Sequence, residues 1–226
     1  MSLKRTISIS QLSDDEMPTA FTVVSKSFGH DAPFIDNFFP LHDTPSGQMQ
    51  GTKRLASWKN SSPSSTFLKA ELSAGNEAGG GGTIVGIAVW TLMDEAPPTE
   101  LSQVADTETL DGVWPDGSDR EFMARLWKKY VVPRTQAIAE SGGVLELLAV
   151  HPHFQRLGAG AALVEWGTSR ADATRRKAIV EGTPVGRFLY ERCGFLAEIE
   201  EMDLDAGEEF AQRKLPKLIF LTRNAK

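Results

Sequence analysis

The stretch Val144-Leu-Glu-Leu-Leu-Ala-Val-His-Pro-His-Phe-Gln-Arg-Leu-Gly-Ala-Gly160 constrains this chain more than any other. From Val144 to Val150 the residues are apolar except for Glu146, a run long enough for a buried strand and too short for a helix. Pro152 closes the run, because it lacks a donor for further pairing and biases His151 towards extended backbone. Beyond Gln155-Arg-Leu-Gly158-Ala-Gly160, small or apolar residues at Ala159, Ala162, Leu163 and Trp166 keep the spacing of one helical face. A strand, a glycine loop and a helix start together outline an anion site. The glycines admit a ligand close to the backbone, and the first-turn N–H groups have no partner inside the helix. On these residues alone two readings stand: a pyrophosphate cradle, and a tight strand-to-helix turn that holds no ligand.

At 226 residues the chain fits one domain spanning 1–226, large enough to bury most of the surface an unfolded chain exposes. A net charge of −6 argues against nucleic acid as a partner, since such binders carry a basic face. The single cysteine, Cys193, excludes an intrachain disulfide and points to a reducing compartment. No apolar run reaches membrane-spanning length, and the polar start Met1-Ser-Leu-Lys-Arg5 is no secretory signal. The expectation is a cytoplasmic protein with no membrane partner.

The remaining elements follow from periodicity and punctuation. Arg5–Ser10 alternates as a half-exposed strand, and Ser13-Asp-Asp-Glu16 opens a helix running to about Phe28, with Met17, Ala20, Phe21, Val24 and Phe28 inward. In 29–40, Phe34, Phe38 and Phe39 either wall a pocket or pack beneath that helix. A second helix covers Gly47 to about Lys59, and strands at Thr66–Leu72 and Thr83–Trp90 flank a glycine-rich hairpin connection. Gly86 marks a bulge or a close backbone approach, and Trp90 faces either an acceptor or the core. The acidic, proline-containing segment 94–119 has no clear period and reads as a lid or insertion loop. Helical spacing returns at Arg120–Glu140, where Pro133 is expected to kink or restart the helix and Ser141-Gly-Gly143 to stop it. Lys177–Gly182 is a strand, Thr183-Pro184 begins a further helix, and Phe195–Asp203 and Leu218–Thr222 pair antiparallel at the end.

Two motifs then bear on function. Gln155-x-x-Gly158-x-Gly160, after a strand ending Leu-Ala-Val-His-Pro, resembles the signature of the GNAT superfamily of acetyl-CoA-dependent N-acetyltransferases. Downstream, Phe188-Leu-Tyr190-Glu-Arg-Cys-Gly194-Phe195 is similar to that family's Leu-Tyr-x-x-x-Gly-Phe segment, at a distance suited to a helix, a strand and the start of another helix. The resemblance implies an α/β acyl-CoA N-acyltransferase fold, with a mixed, mostly antiparallel central sheet, a splayed strand pair and flanking helices. It further implies acetyl-CoA as co-substrate, bound by Leu148, Ala149 and Val150 at the strand end. The loop residues Gln155, Arg156, Leu157, Gly158, Ala159, Gly160 and Ala161 would take the pyrophosphate.

Acetyl transfer to an amine needs a proton acceptor, a donor for the leaving thiolate and a polarising group for the oxyanion. Tyr190 is the donor that the resemblance implies, with a phenol of ordinary pKa about 10 set against a thiolate of similar basicity. Glu146 is the acceptor candidate, because an unpaired carboxylate on an apolar strand is costly unless it pairs or holds a proton. Glu181 is its rival, and either carboxylate has a plain salt bridge, with Arg120 or Arg125, as its other reading. The polarising group is a backbone N–H within 148–150. Arg175, Arg176 and Lys177 read either as a counter-charge for the coenzyme's 3′-phosphate or as a solvated helix end.

Competing chemistries fail on spacing. His151-x-His153 is split by Pro152 and lacks a supporting cysteine or carboxylate cluster, so no metal is expected. Gly158-Ala-Gly160 does not continue into a dinucleotide fingerprint, and no Gly-x-Ser-x-Gly elbow occurs. The expected activity is direct transfer of acetyl to the primary amine of a small molecule. Protein or peptide acetylation and a non-catalytic acetyl-CoA sensor are the alternatives, and the acceptor and oligomeric state stay open.

Overall fold

The structure, a computed structural model, describes residues 5–74, 82–93 and 117–226. The expected hairpin connection and most of the expected lid therefore lie outside the described residues. In order, the elements are β1 (Arg5–Gln11), α1 (Met17–Phe28), α2 (Pro33–Phe38), α3 (Pro45–Ser61), β2 (Ser65–Ala74), β3 (Thr83–Leu92), α4 (Gly117–Ala137), β4 (Ser141–Val150), α5 (Ala159–Ala173), β5 (Lys177–Gly182), α6 (Arg187–Arg192), β6 (Leu196–Ile199) and β7 (Ile219–Arg223). The seven strands form one open mixed sheet in the order β1-β2-β3-β4-β5-β7-β6. Only β4 and β5 pair in parallel; the other neighbours are antiparallel.

Helices cover both faces. On one, Met17, Phe21 and Val24 of α1 and Leu55 of α3 close over Phe67, Ile87, Val89, Leu147 and Ala149. On the same side, Phe122, Met123, Leu126 and Tyr130 of α4 meet Val144, Ile179 and Phe220. On the other, Leu163, Val164 and Ala171 of α5 pack on Leu68, Val85, Ala88, Trp90 and Leu145. Each such side chain contributes roughly 1.5–3 kcal/mol over an exposed one. A cap is worth about 1 kcal/mol, so burial rather than the Ser13–Glu16 contact (Oγ to Oε2, 2.7 Å) holds α1 in place.

Several boundaries differ from the sequence reading, each for a packing reason. The helix does not restart at Pro133: α4 runs through it, because the turn carries buried Tyr130 and Arg134 and their tertiary bonds offset one lost backbone bond. The helical turns do end at Glu140, as expected, and Ser141-Gly-Gly143 opens β4. A Cβ on Gly142 would lie 2.9 Å from Thr174 Oγ1 and 3.0 Å from Arg176 Cβ, so the glycine admits the end of α5. Residues 183–186 form a turn, and α6 begins only at Arg187. Near Gly86, Ala70 pairs with Gly86 but Glu71 with Ile84, a bulge, and a Cβ on Gly86 would stand 3.1 Å from Leu163 Cδ1. Both expectations for that position hold.

Trp90 is core: it is fully buried, and its indole N–H donates to the Leu163 carbonyl at 3.0 Å. α5 crosses it at Gly167, where a Cβ would fall 2.1 Å from the indole. Gly167→Ala is therefore expected to destabilise the protein by about 1–3 kcal/mol in urea denaturation; an unchanged midpoint would show that α5 does not press on Trp90.

Candidate active site

The site is built where β4 and β5 part. Their parallel pairing ends at Leu145↔Val180, and the next residues, Glu146 and Glu181, no longer pair. On its other edge β4 carries a bulge: Val89 pairs with Leu147 and Trp90 with Leu145, leaving Glu146 as the extra residue. A bulge re-aims side chains. Glu146 and Leu147, consecutive in the chain, consequently both serve the α1/α4 side of the sheet.

Arg134 of α4 spans the gap. Its Nη1 donates to both oxygens of Glu146, at 3.0 and 2.8 Å. Nε and Nη2 donate to Glu181 Oε1 and Oε2, at 2.9 and 2.6 Å. The Tyr130 hydroxyl accepts from Nη2 at 2.9 Å and donates to Glu181 Oε2 at 3.2 Å. The side chains of Arg134, Glu146 and Glu181 are 4%, 10% and 0% exposed, so a guanidinium stands where the ladder stops. Burial by itself would lower the pKa of Arg134, but the two carboxylates outweigh it and hold the charge firmly in place. Burial pushes the Tyr130 hydroxyl well up, keeping it a neutral donor. With both carboxylates ionised the cluster carries one net negative charge. The partner of Glu146 and Glu181 is thus Arg134 and not Arg120 or Arg125. Its one signal in the sequence was its place on the inward stripe of the helix, two turns beyond Leu126 and one beyond Tyr130.

Past the bulge, the alternation of an antiparallel ladder decides where the peptide groups point. His151 N–H donates to Val85 O at 2.9 Å, so the groups of Leu147 and Ala149 also face β3 and those of Leu148 and Val150 face the gap. Ser27 Oγ accepts from Val150 N–H at 3.2 Å, and Gln155 Nε2 donates to Val150 O at 3.3 Å. Of the predicted strand-end trio, Leu148 and Val150 thus present peptide groups to the gap, and Ala149 is committed to the sheet. Ser27, a contact not anticipated from the sequence, sits on the inward stripe of α1 one turn past Val24.

The loop then turns through two left-handed residues, Arg156 (φ 64) and Gly158 (φ 96). α5 starts at Ala159 with Gly158 as its N-cap and no side-chain cap. The N–H groups of Gly158, Ala159, Gly160 and Ala161 therefore lack intrahelical partners, and the helix dipole adds positive character there. Gln155, Arg156, Leu157 and Gly158 are exposed to solvent, so the cradle is open.

Tyr190 stands on the opposite, α5 side of the sheet, buried among core residues with Phe195 edge-on at 6.0 Å. Its ring fits because Gly182 and Gly186 lack side chains: a Cβ on either would lie 2.6 or 2.9 Å from Cε2. Gly182 ends β5, so the phenol sits beside the open end of the splay. Burial raises its pKa well above the ordinary value, with Cys193 a smaller cause, and the hydroxyl stays protonated. Burial likewise pushes the Cys193 thiol up, as befits a packing residue rather than a nucleophile.

Two sequence readings resolve differently. Phe39 packs on Phe21 at 5.0 Å, beneath α1. Phe34 and Phe38 instead stack on each other at 5.3 Å, with Phe34 5.1 Å from the ring of Tyr130 and both near Trp127. The Trp127 indole N–H is buried without an acceptor among the described residues. Arg175, Arg176 and Lys177 lie at the far end of the fifteen-residue α5, about 20 Å from the loop by helical rise. Arg176 donates to Met93 O at 2.8 Å and Lys177 pairs with Glu140 at 2.7 Å, so these two side chains are engaged within the fold, away from the glycine loop.

Comparison with known proteins accords with this geometry. Residues 36–195 match the family described as Acetyltransferase (GNAT) family. The chain is similar to a histone acetyltransferase HPA2 and related acetyltransferase from Corynebacterium glutamicum, with 18% identity, 98% of each chain covered and a TM-score of 0.57. It is also similar to arylalkylamine N-acetyltransferase 2 from Aedes aegypti, with 16% identity, 98% and 100% covered and a TM-score of 0.58. A third similar structure is the polyamine N-acetyltransferase of Drosophila melanogaster, with 15% identity, 96% and 98% covered and a TM-score of 0.54. Among curated proteins none matches.

Removing Arg134 should be severe, because two buried carboxylates would be left without a counter-charge. Arg134→Met is expected to cost about 3–5 kcal/mol in chemical denaturation, and adding Glu146→Gln and Glu181→Gln to recover a large part of it. A loss below about 1 kcal/mol in the single variant would contradict the clamp.

Proposed function

The chain belongs to the acetyltransferase (GNAT) family, and we propose that it moves acetyl from acetyl-CoA to the primary amine of a small molecule by direct attack in a ternary complex. One observation carries this reading: two chemistries face each other across one gap in the sheet. A neutral phenol lies on the α5 side and a net-negative carboxylate cluster on the α4 side. The outward peptide groups of Leu148 and an uncapped helix start lie alongside.

In this account, N–H groups from Arg156 to Ala161 hold the coenzyme's diphosphate, with the exposed Arg156 side chain beside it. The pantetheine arm pairs with the Leu148 carbonyl in the splay, and of the backbone N–H groups of 148–150 it is that of Leu148 that polarises the thioester carbonyl. The Glu146 cluster attracts the ammonium form of the acceptor, and Glu146 takes up its proton through water, with Glu181 as the alternative acceptor. The amine lone pair then forms the C–N bond and the C–S bond breaks. Tyr190 meets the departing sulfur. A hydroxyl made this weakly acidic first supplies a hydrogen bond to the developing thiolate and completes proton transfer as the charge localises. The ammonium loses two protons overall: one ends on the coenzyme thiol and one in solvent.

A small cationic or aromatic amine is favoured by the pocket's composition, a net negative charge beside the half-exposed rings of Phe34, Phe38 and Trp127. The named activities of the Aedes and Drosophila proteins are of this kind, although identities of 15–16% speak to fold alone. Among the described residues no helix is long and apolar enough to cross a membrane.

The test is thiol release from acetyl-CoA over a panel of polyamines, arylalkylamines, amino sugars and basic peptides. Turnover with a small amine is expected, and Tyr190→Phe should lower kcat by about tenfold to a thousandfold with coenzyme affinity nearly unchanged. Unchanged kcat would remove Tyr190 from the mechanism. Turnover of peptides alone would move the acceptor to protein, and silence despite tight coenzyme binding would make the chain a sensor.

A further inference from the structure

Away from the splay, three segments that are distant in the reaction scheme bring two histidines and a carboxylate to one point. His30 follows α1, Asp36 lies in α2, and His42 precedes α3; one ligand atom from each falls within 4.8 Å of the others. We propose that His30 Nδ1, Asp36 Oδ1 and His42 Nε2 bind one divalent transition-metal cation, zinc by preference.

Polar contacts hold both imidazoles in place. Ser25 Oγ lies 2.9 Å from His42 Nδ1 and 3.0 Å from the His42 carbonyl. In the tautomer that binds a metal, Oγ accepts from Nδ1–H, and Nε2 turns its lone pair towards Asp36 Oδ1, 3.2 Å away. His30 repeats the arrangement: Nε2 faces Asp43 Oδ2 at 3.3 Å, leaving Nδ1 against the same Asp36 oxygen at 2.7 Å. Two imidazole nitrogens and one carboxylate oxygen thus converge on one point, a donor set suited to a single divalent ion.

The geometry suits a metal in three further respects. A tetrahedral ion with bonds of about 2.0 Å separates its ligands by about 3.3 Å; the two nitrogen-to-oxygen separations are 3.2 and 2.7 Å, and all three ligand atoms lie within 4.8 Å of one another. Ser25 and Asp43 bond the far nitrogens, the outer-shell support that orients metal-bound histidines. Two imidazoles and one carboxylate favour zinc over magnesium or calcium, which take oxygen ligands. Access is open, since His30 and Asp43 side chains are 62% and 57% exposed, and water would complete the shell. Contiguous spacing could not show this site, because its residues stand six apart on three segments.

Its place gives it a role. α2, which supplies Asp36, also carries Phe34 and Phe38 of the aromatic wall, and Ser27, three residues before His30, accepts the Val150 N–H. A cation here would pin that wall to the end of β4. The test uses the full untagged chain equilibrated with zinc, then desalted, with zinc read by mass spectrometry and the cobalt form by its visible absorption. One equivalent of zinc per chain and cobalt bands of four-coordinate strength are expected. His30→Ala, at an exposed side chain, and Asp36→Asn should each weaken binding by about a hundredfold or more, and Asp43→Asn by about 10–100-fold. His151→Ala/His153→Ala should bind as the parent does. No stoichiometric zinc in the parent, undiminished zinc binding in His30→Ala and Asp36→Asn, or loss on changing His151 and His153 would overturn the proposal. None of these readouts depends on acetyl transfer.

Discussion

Everything in this molecule that bears on chemistry depends on a single guanidinium standing between two strands. β4 and β5 run together to Leu145 and Val180, and one residue later Arg134 holds Glu146 on one strand and Glu181 on the other. Such a buried trio is a poor way to gain stability, because desolvating three charges offsets most of their attraction. What it does is structural: it fixes the width of an opening that backbone pairing would otherwise close. The bulge at Glu146 makes the clamp reachable by turning that carboxylate out of the alternating pattern and towards α4.

The opening then sets the rest. With β5 withdrawn, the peptide groups of Leu148 and Val150 lose a neighbouring strand. Val150 is answered by Ser27 and Gln155, which tie α1 and the glycine loop to the same point. Leu148 is left facing the gap, next to a helix start that no side chain caps. On either side of the sheet the chemistry differs in sign: a hydroxyl kept protonated by burial, and a cluster with an excess carboxylate. In the proposed transfer, an extended thioester threading this gap would meet a proton donor on one hand and a proton acceptor on the other. That arrangement, and not any single residue, is what the proposed transfer uses.

Much of this was legible in the sequence, and the reasons are local. Val144–Val150 is apolar on both sides of Glu146 because the strand is covered on both faces, and Gln155 to Gly160 shows a loop that backbone sterics dictate. Tyr190 could be singled out because its motif is contiguous. Arg134 could not, since its partners lie 12 and 47 residues away and proline beside it reads as a helix break. Ser27 looked like any helix serine, and His30, Asp36 and His42 share no motif. Ser141-Gly-Gly143 marks the end of the helical turns correctly, but composition does not show that Gly142 also makes room for the end of α5.

The most direct test of the central claim is a crystal structure with coenzyme A. The account predicts the pantetheine arm lying between β4 and β5 against the Leu148 peptide group, with the diphosphate on main-chain N–H groups of 156–161. Coenzyme bound instead at the basic cleft of Arg175, Lys177 and Lys226, with the splay closed, would contradict it.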